Sequence, residues 1–108
     1  MNDFTTIYRI LKAFQASMDE DEFDEELISC ERLKVTKNRR TRLLMQLVEN
    51  GFISGIEFKK YVDEPLPVVR ILDNATITLK GLEYLEDNSL MKKAANVLKE
   101  LKEIIPGL

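Results

Sequence analysis

Apolar residues recur at helical spacing in the first third of the chain. The pattern predicts an amphipathic helix from about Asp3 to Ser17, with Asp3 as its N-cap. A second, short helix is expected between about Asp21 and Cys30, where Cys30 is interpreted as a small core residue rather than a nucleophile. The apolar positions that define these two helices are Ile7, Ile10, Leu11 and Phe14, followed by Phe23, Leu27, Ile28 and Cys30.

The third predicted helix has the clearest boundaries. Thr36 is a favourable N-cap, and Asn50-Gly51 is a typical stop signal. We expect its buried stripe to consist of Leu43, Leu44, Leu47 and Val48.

Beyond Gly51 the pattern changes from helical to alternating. The segment FISGIEFKKYV is rich in aromatic and branched residues, and VVRIL at Val68–Leu72 is its predicted partner strand. Two prolines between them prevent the ladder from continuing, which predicts a hairpin with a proline-containing tip. A turn is expected at 73–75, with a brief third pairing at Ile77.

Two helices are predicted at the C-terminal end. Thr78 should cap a helix that ends near Asp87 and buries Leu79, Leu82 and Leu85. A last amphipathic helix should span Ser89–Ile105, which divides the chain into a domain at 1–88 and an appended helix at 89–108. That helix either packs on the domain or forms a homodimer interface. In the dimer its central residues would be Leu98, Leu101, Ile104 and Ile105.

This order of elements predicts an α+β, mostly helical fold. Three helices, a strand-turn-strand unit and C-terminal helices are typical of a winged helix-turn-helix domain, with a two- or three-stranded wing hairpin and an appended amphipathic helix. The third helix would then be the recognition helix.

Composition argues against several classes of function. The 108 residues include no histidine, which removes the commonest general base and the commonest zinc ligand, and the one cysteine cannot compensate for either. We find no nucleophile-base pair, metal-ligand cluster or phosphate-binding glycine loop, and we therefore expect no enzyme, cofactor or metal. Without a long apolar run or a basic leader, we expect a cytoplasmic protein that does not bind membranes.

Charge is segregated along the chain. The acidic segment, Asp19–Glu26, holds seven acidic and no basic residues, and the basic segment, Arg32–Arg42, holds six basic and no acidic ones. The net charge of −3 therefore conceals a strongly positive stretch. The acidic segment is interpreted mainly as a solvated helix start, with a decoy or regulatory role as the alternative.

Four segments resemble the YjcQ-like family. They are YRILK, NGFISG after the third helix, ITLKGLEYLEDNS and the lysine-rich MKKAANVLKELKEI. The resemblance covers nearly the whole chain. It implies a small winged-helix protein of low-GC Gram-positive bacteria and their phages or prophages, with no established activity and no catalytic residues.

Helical geometry selects the side chains of the third helix that could contact DNA. The arc opposite the leucine stripe carries chemistry suited to base edges, whereas Lys37 in the first turn is suited to a phosphate. Lys37 and Arg40 project on the core side of the helix, and Arg40 is expected to pair with acidic residues of the second helix rather than to contact a base. The residues predicted to bind DNA are Lys37, Asn38, Arg39, Arg42, Met45 and Gln46, with Glu49 at the far end of the same face.

The hairpin offers a weaker second contact. Lys59, Lys60 and Arg70 could bring a wing to the DNA backbone, but the lysines are equally explained as protection of a strand edge. Two functions follow from the sequence. The first is a winged-helix protein that binds double-stranded DNA, as a phage or prophage regulatory or accessory protein. The second is a winged-helix module that binds another protein through the acidic segment and the last helix.

Overall fold

A computed structural model describes residues 2–89 of the chain. The predicted last helix and its proposed dimer face, Leu98, Leu101, Ile104 and Ile105, lie outside these residues. Within them the fold is α+β, with four α-helices and one two-stranded antiparallel sheet. The α+β, mostly helical class predicted from the sequence is therefore confirmed.

Helix α1 spans Asp3–Ala16, close to its predicted range. Its N-cap is Asn2 rather than the predicted Asp3, because the Asn2 Oδ1 accepts the N–H of Thr5 at 2.8 Å. Asp3 becomes the first helical residue, and its carboxylate is left exposed to solvent. The buried face of α1 carries Ile10, Leu11 and Phe14.

The predicted second helix is wrong in both extent and type. Two 3-10 turns, Ser17–Asp19 and Glu25–Ile28, precede a one-turn helix α2 at Cys30–Leu33. Short polar side chains break a continuous helix here, since Asp24 accepts the N–H of Glu26 and Ser29 accepts the N–H of Arg32. Crowding of the acidic side chains adds repulsion between carboxylates that a helix would place on one face.

Phe23 nevertheless lies in the core, as predicted. Its ring stacks on that of Phe14 with centroids 4.1 Å apart and planes 8° from parallel. Phe23 and Ile28 are buried, whereas Leu27 and Cys30 are half-buried. The acidic segment is thus fixed to α1 by one aromatic side chain while its carboxylates face solvent.

Helix α3 spans Lys37–Glu49 and has the predicted boundaries. The Thr36 hydroxyl accepts the N–H of Arg39 at 3.2 Å, and the helix ends at Asn50. Leu44 and Leu47 of the predicted stripe are buried with Thr41, whereas Leu43 and Val48 are half-buried. Only three residues, 34–36, connect α2 to α3, and Lys34 turns the chain there with a φ of 57°, in the left-handed region.

The hairpin consists of β1, Ile53–Lys59, and β2, Val68–Ile77. The predicted pairing at Ile77 is confirmed, since Ile77 pairs with Ile53, but the predicted turn at 73–75 is wrong, because β2 continues through this stretch. Its register shifts instead: Ser54 pairs with Thr76 but Ile56 pairs with Ile71, so β2 bulges by three residues. Gly55 has a φ of 82°, and a Cβ there would lie 2.5 Å from the Cα of Ala75. The bulge therefore depends on a glycine in β1.

Helix α4 spans Leu79–Asp87 and is capped by Thr78, as predicted. Leu85 is buried and Leu82 half-buried, but Leu79, predicted to be buried, is 80% exposed. The reason is that Thr78 fixes the start of the helix against the turn before β1. Its hydroxyl donates to the Gly51 carbonyl at 2.5 Å, and its N–H donates to the Phe52 carbonyl at 3.0 Å. At the first helical position, Leu79 points away from this contact.

Gly81 permits the close approach of α4 to this turn. A Cβ on Gly81 would overlap the carbonyl oxygen of Phe52 and would lie 2.6 Å from the Ile77 Cγ1. Alanine at a helical glycine normally gains about 1 kcal/mol. Here we expect Gly81→Ala to lower the free energy of unfolding by roughly 1–3 kcal/mol, because overlap with a backbone atom cannot be relieved by a side-chain rotation.

Urea unfolding followed by circular dichroism measures this change. Glu83→Ala, at an exposed position of the same helix, is the control and should leave stability nearly unchanged. An increase in stability for Gly81→Ala would show that helix propensity, rather than the contact with Phe52, decides at this position.

The elements enclose one hydrophobic core. Helix α1 contacts α3, α4 and β2, and α3 also contacts β1. The buried residues include Ile10 and Leu11 from α1, Leu33 from α2, and Ile53 and Ile77 from the paired strand ends. This arrangement holds one side of α3 in the core and leaves its opposite side on the surface.

Candidate nucleic-acid interface

The exposed side of α3 carries the side chains that the sequence selects. Because Thr41, Leu44 and Leu47 are buried, the residues about half a turn away face solvent. Of these, Asn38, Arg39, Arg42, Gln46 and Glu49 are exposed, and Met45 is half-buried. Lys37 lies on the core side of the helix, four residues before the buried Thr41, and is nevertheless exposed in the first turn. The predicted division of this helix into a core face and a surface face is confirmed, whereas contact with DNA stays a prediction.

Arg39 has a partner that the sequence did not indicate. Its Nη1 lies 2.5 Å from the Oδ1 of Asp3, in the first turn of α1. Both side chains are about half exposed, at 57% and 49%. The pair joins residues 36 positions apart, so no local pattern could have found it.

Three other side chains of α3 differ in whether they already have a partner within the protein. In the part of the chain that the structure describes, Lys37 and Arg42 make no hydrogen bond or ion pair. The Gln46 side chain, by contrast, lies 3.4 Å from the Asn50 Nδ2, which also donates to the Gln46 carbonyl at 2.8 Å. With respect to residues 2–89, Lys37 and Arg42 can therefore bind a ligand without first giving up a protein partner.

Arg40 faces the core side of α3, as predicted, but its partner differs from the expected carboxylate. Its Nε donates to the Ile28 carbonyl at 2.7 Å. This hydrogen bond ties α3 to the 3-10 turn Glu25–Ile28, and it satisfies a carbonyl at the end of that turn. Arg40 therefore has a structural contact and does not belong to the exposed face.

The cationic side chains of the hairpin differ in their neighbours. Arg70 pairs with Glu57, which lies directly opposite it on β1, at 3.6 Å between Nη1 and Oε2. The Lys59 Nζ lies 5.4 Å from the centre of the Tyr61 ring. Lys60 is exposed. Two of the three predicted wing residues thus have neighbours on the hairpin itself.

The acidic segment lies near the opposite end of α1 from Asp3. Its carboxylates border a depression beside Ala16 and Ser17, and the residues from the segment are Glu20, Asp21, Glu22 and Asp24. A helix of 14 residues is about 21 Å long. In residues 2–89 a single ion pair joins the acidic and basic segments, between Glu26 and Arg32 at 4.0 Å. These carboxylates therefore lie well away from Arg39.

Other chemistry is sparse in the described part of the chain. Among residues 2–89, no group of three or more cysteine, aspartate or glutamate side chains could hold a metal ion. No helix there is long and apolar enough to cross a membrane.

Desolvation by burial raises the pKa of the Tyr84 phenol, whose ring tilts against Phe52 with centroids 5.2 Å apart. That group belongs to the packing of α4.

The family of the chain follows from comparison with known proteins. No curated protein and no solved structure matches the chain. A family model described as YjcQ protein matches residues 8–104. The matched range contains all four segments that carry the resemblance, from YRILK in α1 through ITLKGLEYLEDNS in α4 to the lysine-rich segment that follows. The chain belongs to the YjcQ protein family.

Proposed function

We propose that this protein is a winged-helix DNA-binding protein without catalytic activity. In this proposal α3 is the recognition helix and the β1–β2 hairpin is the wing. The observation that carries it is the exposed N-terminal half of α3, where Arg39 and Arg42 face solvent opposite the side anchored in the core and Lys37 is exposed in the first turn. A regulatory or accessory role in a phage or prophage agrees with the resemblance.

The order and spacing of the elements support a helix-turn-helix. Helix α2 and α3 are joined by three residues, a connection typical of this motif. Helix α2 has only one turn, but the 3-10 turn Glu25–Ile28 directly precedes it and extends the same segment. The hairpin follows α3 after the Asn50-Gly51 stop, at the position of a wing.

The side chains on α3 have the chemistry of direct readout. Arginine can donate two hydrogen bonds to a guanine edge, and asparagine or glutamine can bond adenine in the same way. We assign Asn38, Arg39, Arg42 and Gln46 to base edges. Lys37, in the first turn, is assigned to a phosphate, and Met45 to a thymine methyl group.

The net negative charge does not oppose this assignment. At physiological ionic strength the Debye length is about 8 Å, so exposed charges separated by two Debye lengths scarcely interact. The carboxylates around Ala16 and Ser17 lie about one helix length from Asp3 and its partner Arg39. DNA at the start of α3 would therefore interact with the local positive charge of this helix rather than with the net charge of the whole protein.

Titration of a fluorescent duplex at several salt concentrations tests the proposal. Lys37 alone, on one phosphate, would give a slope of log affinity against log salt near −0.9, and if Arg39 and Arg42 neutralise phosphates in addition to their base contacts the slope would be near −2.7. In the latter case affinity should fall by roughly fortyfold between 50 and 200 mM salt. Absence of binding to any duplex at low salt, or binding with no salt dependence, would refute DNA recognition by α3.

The acidic segment favours the second candidate, recognition of another protein. Its carboxylates are exposed around one depression, at a distance from the α3 face. If the duplex titration shows no binding, a basic protein partner of this depression becomes the better proposal. Its test is loss of that partner when Glu20 and Asp21 are replaced by glutamine and asparagine.

A further inference from the structure

The ion pair between Asp3 and Arg39 places an acidic side chain within the proposed DNA-binding surface. We propose that Asp3 competes with DNA for Arg39, and that the first turn of α1 therefore belongs to the surface that faces DNA. This inference rests on the proposed function. In this role Asp3 sets the affinity of the protein for DNA.

The geometry supports competition rather than a fixed structural contact. The Asp3 Oδ1 lies 2.5 Å from the Arg39 Nη1, where it takes the place that a phosphate or base acceptor would occupy. Both side chains are about half exposed. An ion pair this open to solvent is weak, so a DNA acceptor can displace the carboxylate at small cost.

The first turn of α1 does not depend on the Asp3 carboxylate. Asn2 supplies the cap, with its Oδ1 accepting from the Thr5 N–H and its carbonyl accepting from the Thr6 N–H at 3.2 Å. In residues 2–89 the one ion pair of Asp3 is with Arg39. Replacing its charge should therefore leave the helix folded and change the α3 surface.

Asp3 opposes binding in two ways. It occupies Arg39 in the free protein, and after displacement it remains a negative charge close to the incoming phosphate. Arg42 has no such partner among the described residues, so the competition acts at one of the two arginines. A duplex that offers Arg39 a good acceptor overcomes it more easily than one that offers only backbone, which favours specific over non-specific DNA.

Duplex titration of Asp3→Asn tests the inference. We expect its affinity at 50 mM salt to rise about two- to fivefold over the wild type, the range set by loss of one exposed ion pair. Asp21→Asn makes the same charge change near the other end of α1 and should shift affinity by much less. Thermal unfolding of both variants checks that each remains folded.

A double-mutant cycle separates competition from general repulsion. In an Arg39→Ala background, Asp3→Asn should give a clearly smaller gain, because the arginine for which Asp3 and DNA compete is gone and only the repulsion of phosphate is relieved. An equal gain with and without Arg39, or an equal gain for Asp21→Asn, would overturn the inference and leave the proposed function standing. If neither the wild type nor Asp3→Asn binds a duplex at low salt, both fall.

Discussion

Replacing Phe14 with alanine should lower the free energy of unfolding by about 3–5 kcal/mol. Phe14 is 1% exposed and stacks on Phe23 with the ring centroids 4.1 Å apart. The substitution removes a large side chain from the last turn of α1 and opens a cavity beneath the acidic segment. The loss is a large share of the 5–15 kcal/mol that stabilises a typical domain.

Urea unfolding monitored by circular dichroism measures this effect, with two companion variants. Phe4→Ala makes the same chemical change in the same helix at a side chain that is 64% exposed, and it should cost less than about 1 kcal/mol. Phe14→Leu keeps most of the volume and should cost only about 1–1.5 kcal/mol, which provides a measurable value if the alanine variant fails to fold. Equal losses for Phe14→Ala and Phe4→Ala would contradict the burial of Phe14.

The sequence predicts those elements whose boundaries are set by local chemistry. Helix α3 begins after the Thr36 cap and ends at Asn50, because a hydroxyl that accepts an N–H and an Asn-Gly stop act over a few residues. The cap of α4 by Thr78 is equally local. The exposure of Leu79 does not follow from local sequence, because the side of α4 that packs on the core depends on the hydrogen bond from Thr78 to the distant carbonyl of Gly51.

The incorrect predictions, for the second helix and for the turn at 73–75, have a common physical origin. In each case two backbone conformations compete for the same segment. The apolar spacing around Phe23 fits a helix, yet Asp24 and Ser29 bond the backbone locally and divide the segment into turns. In β2, a turn-like sequence is held in a bulge because Gly55 on the other strand admits the close approach of Ala75. The hydrophobic periodicity of a segment describes that segment alone and carries no information about the element that packs against it.

The candidate site shows the same division. Exposure of the α3 cations follows from the position of the leucines on the same helix, so helical periodicity suffices. The pairing of Arg39 with Asp3 and of Arg40 with the Ile28 carbonyl depends on how three segments pack. Sequence therefore identified the surface, and the structure distinguishes Arg42, which has no partner in the described residues, from Arg39, which has one.

The double variant Arg39→Ala/Arg42→Ala should lose about a hundredfold or more in affinity for duplex DNA at low salt. Each arginine bonded to a base edge contributes about 1–3 kcal/mol, so the loss of both costs about 2–6 kcal/mol. Most of this range exceeds the roughly 2.7 kcal/mol that corresponds to a hundredfold change in affinity. The slope of log affinity against log salt should also become shallower, by up to about 1.8 if both side chains also neutralise phosphates. Fluorescence anisotropy at four salt concentrations yields both values.

A control with the same change in net charge is available. Lys12→Ala/Lys80→Ala removes two cations elsewhere: Lys12 lies half a turn around α1 from Asp3, and the Lys80 Nζ lies 5.4 Å from the Phe52 ring beyond the end of α3. Because non-specific attraction depends on total charge, equal losses for the two double variants would assign binding to the overall field and not to α3. A loss confined to Arg39→Ala/Arg42→Ala would make α3 the reading element, since both proteins then carry the same net charge and differ only in where the cations lie.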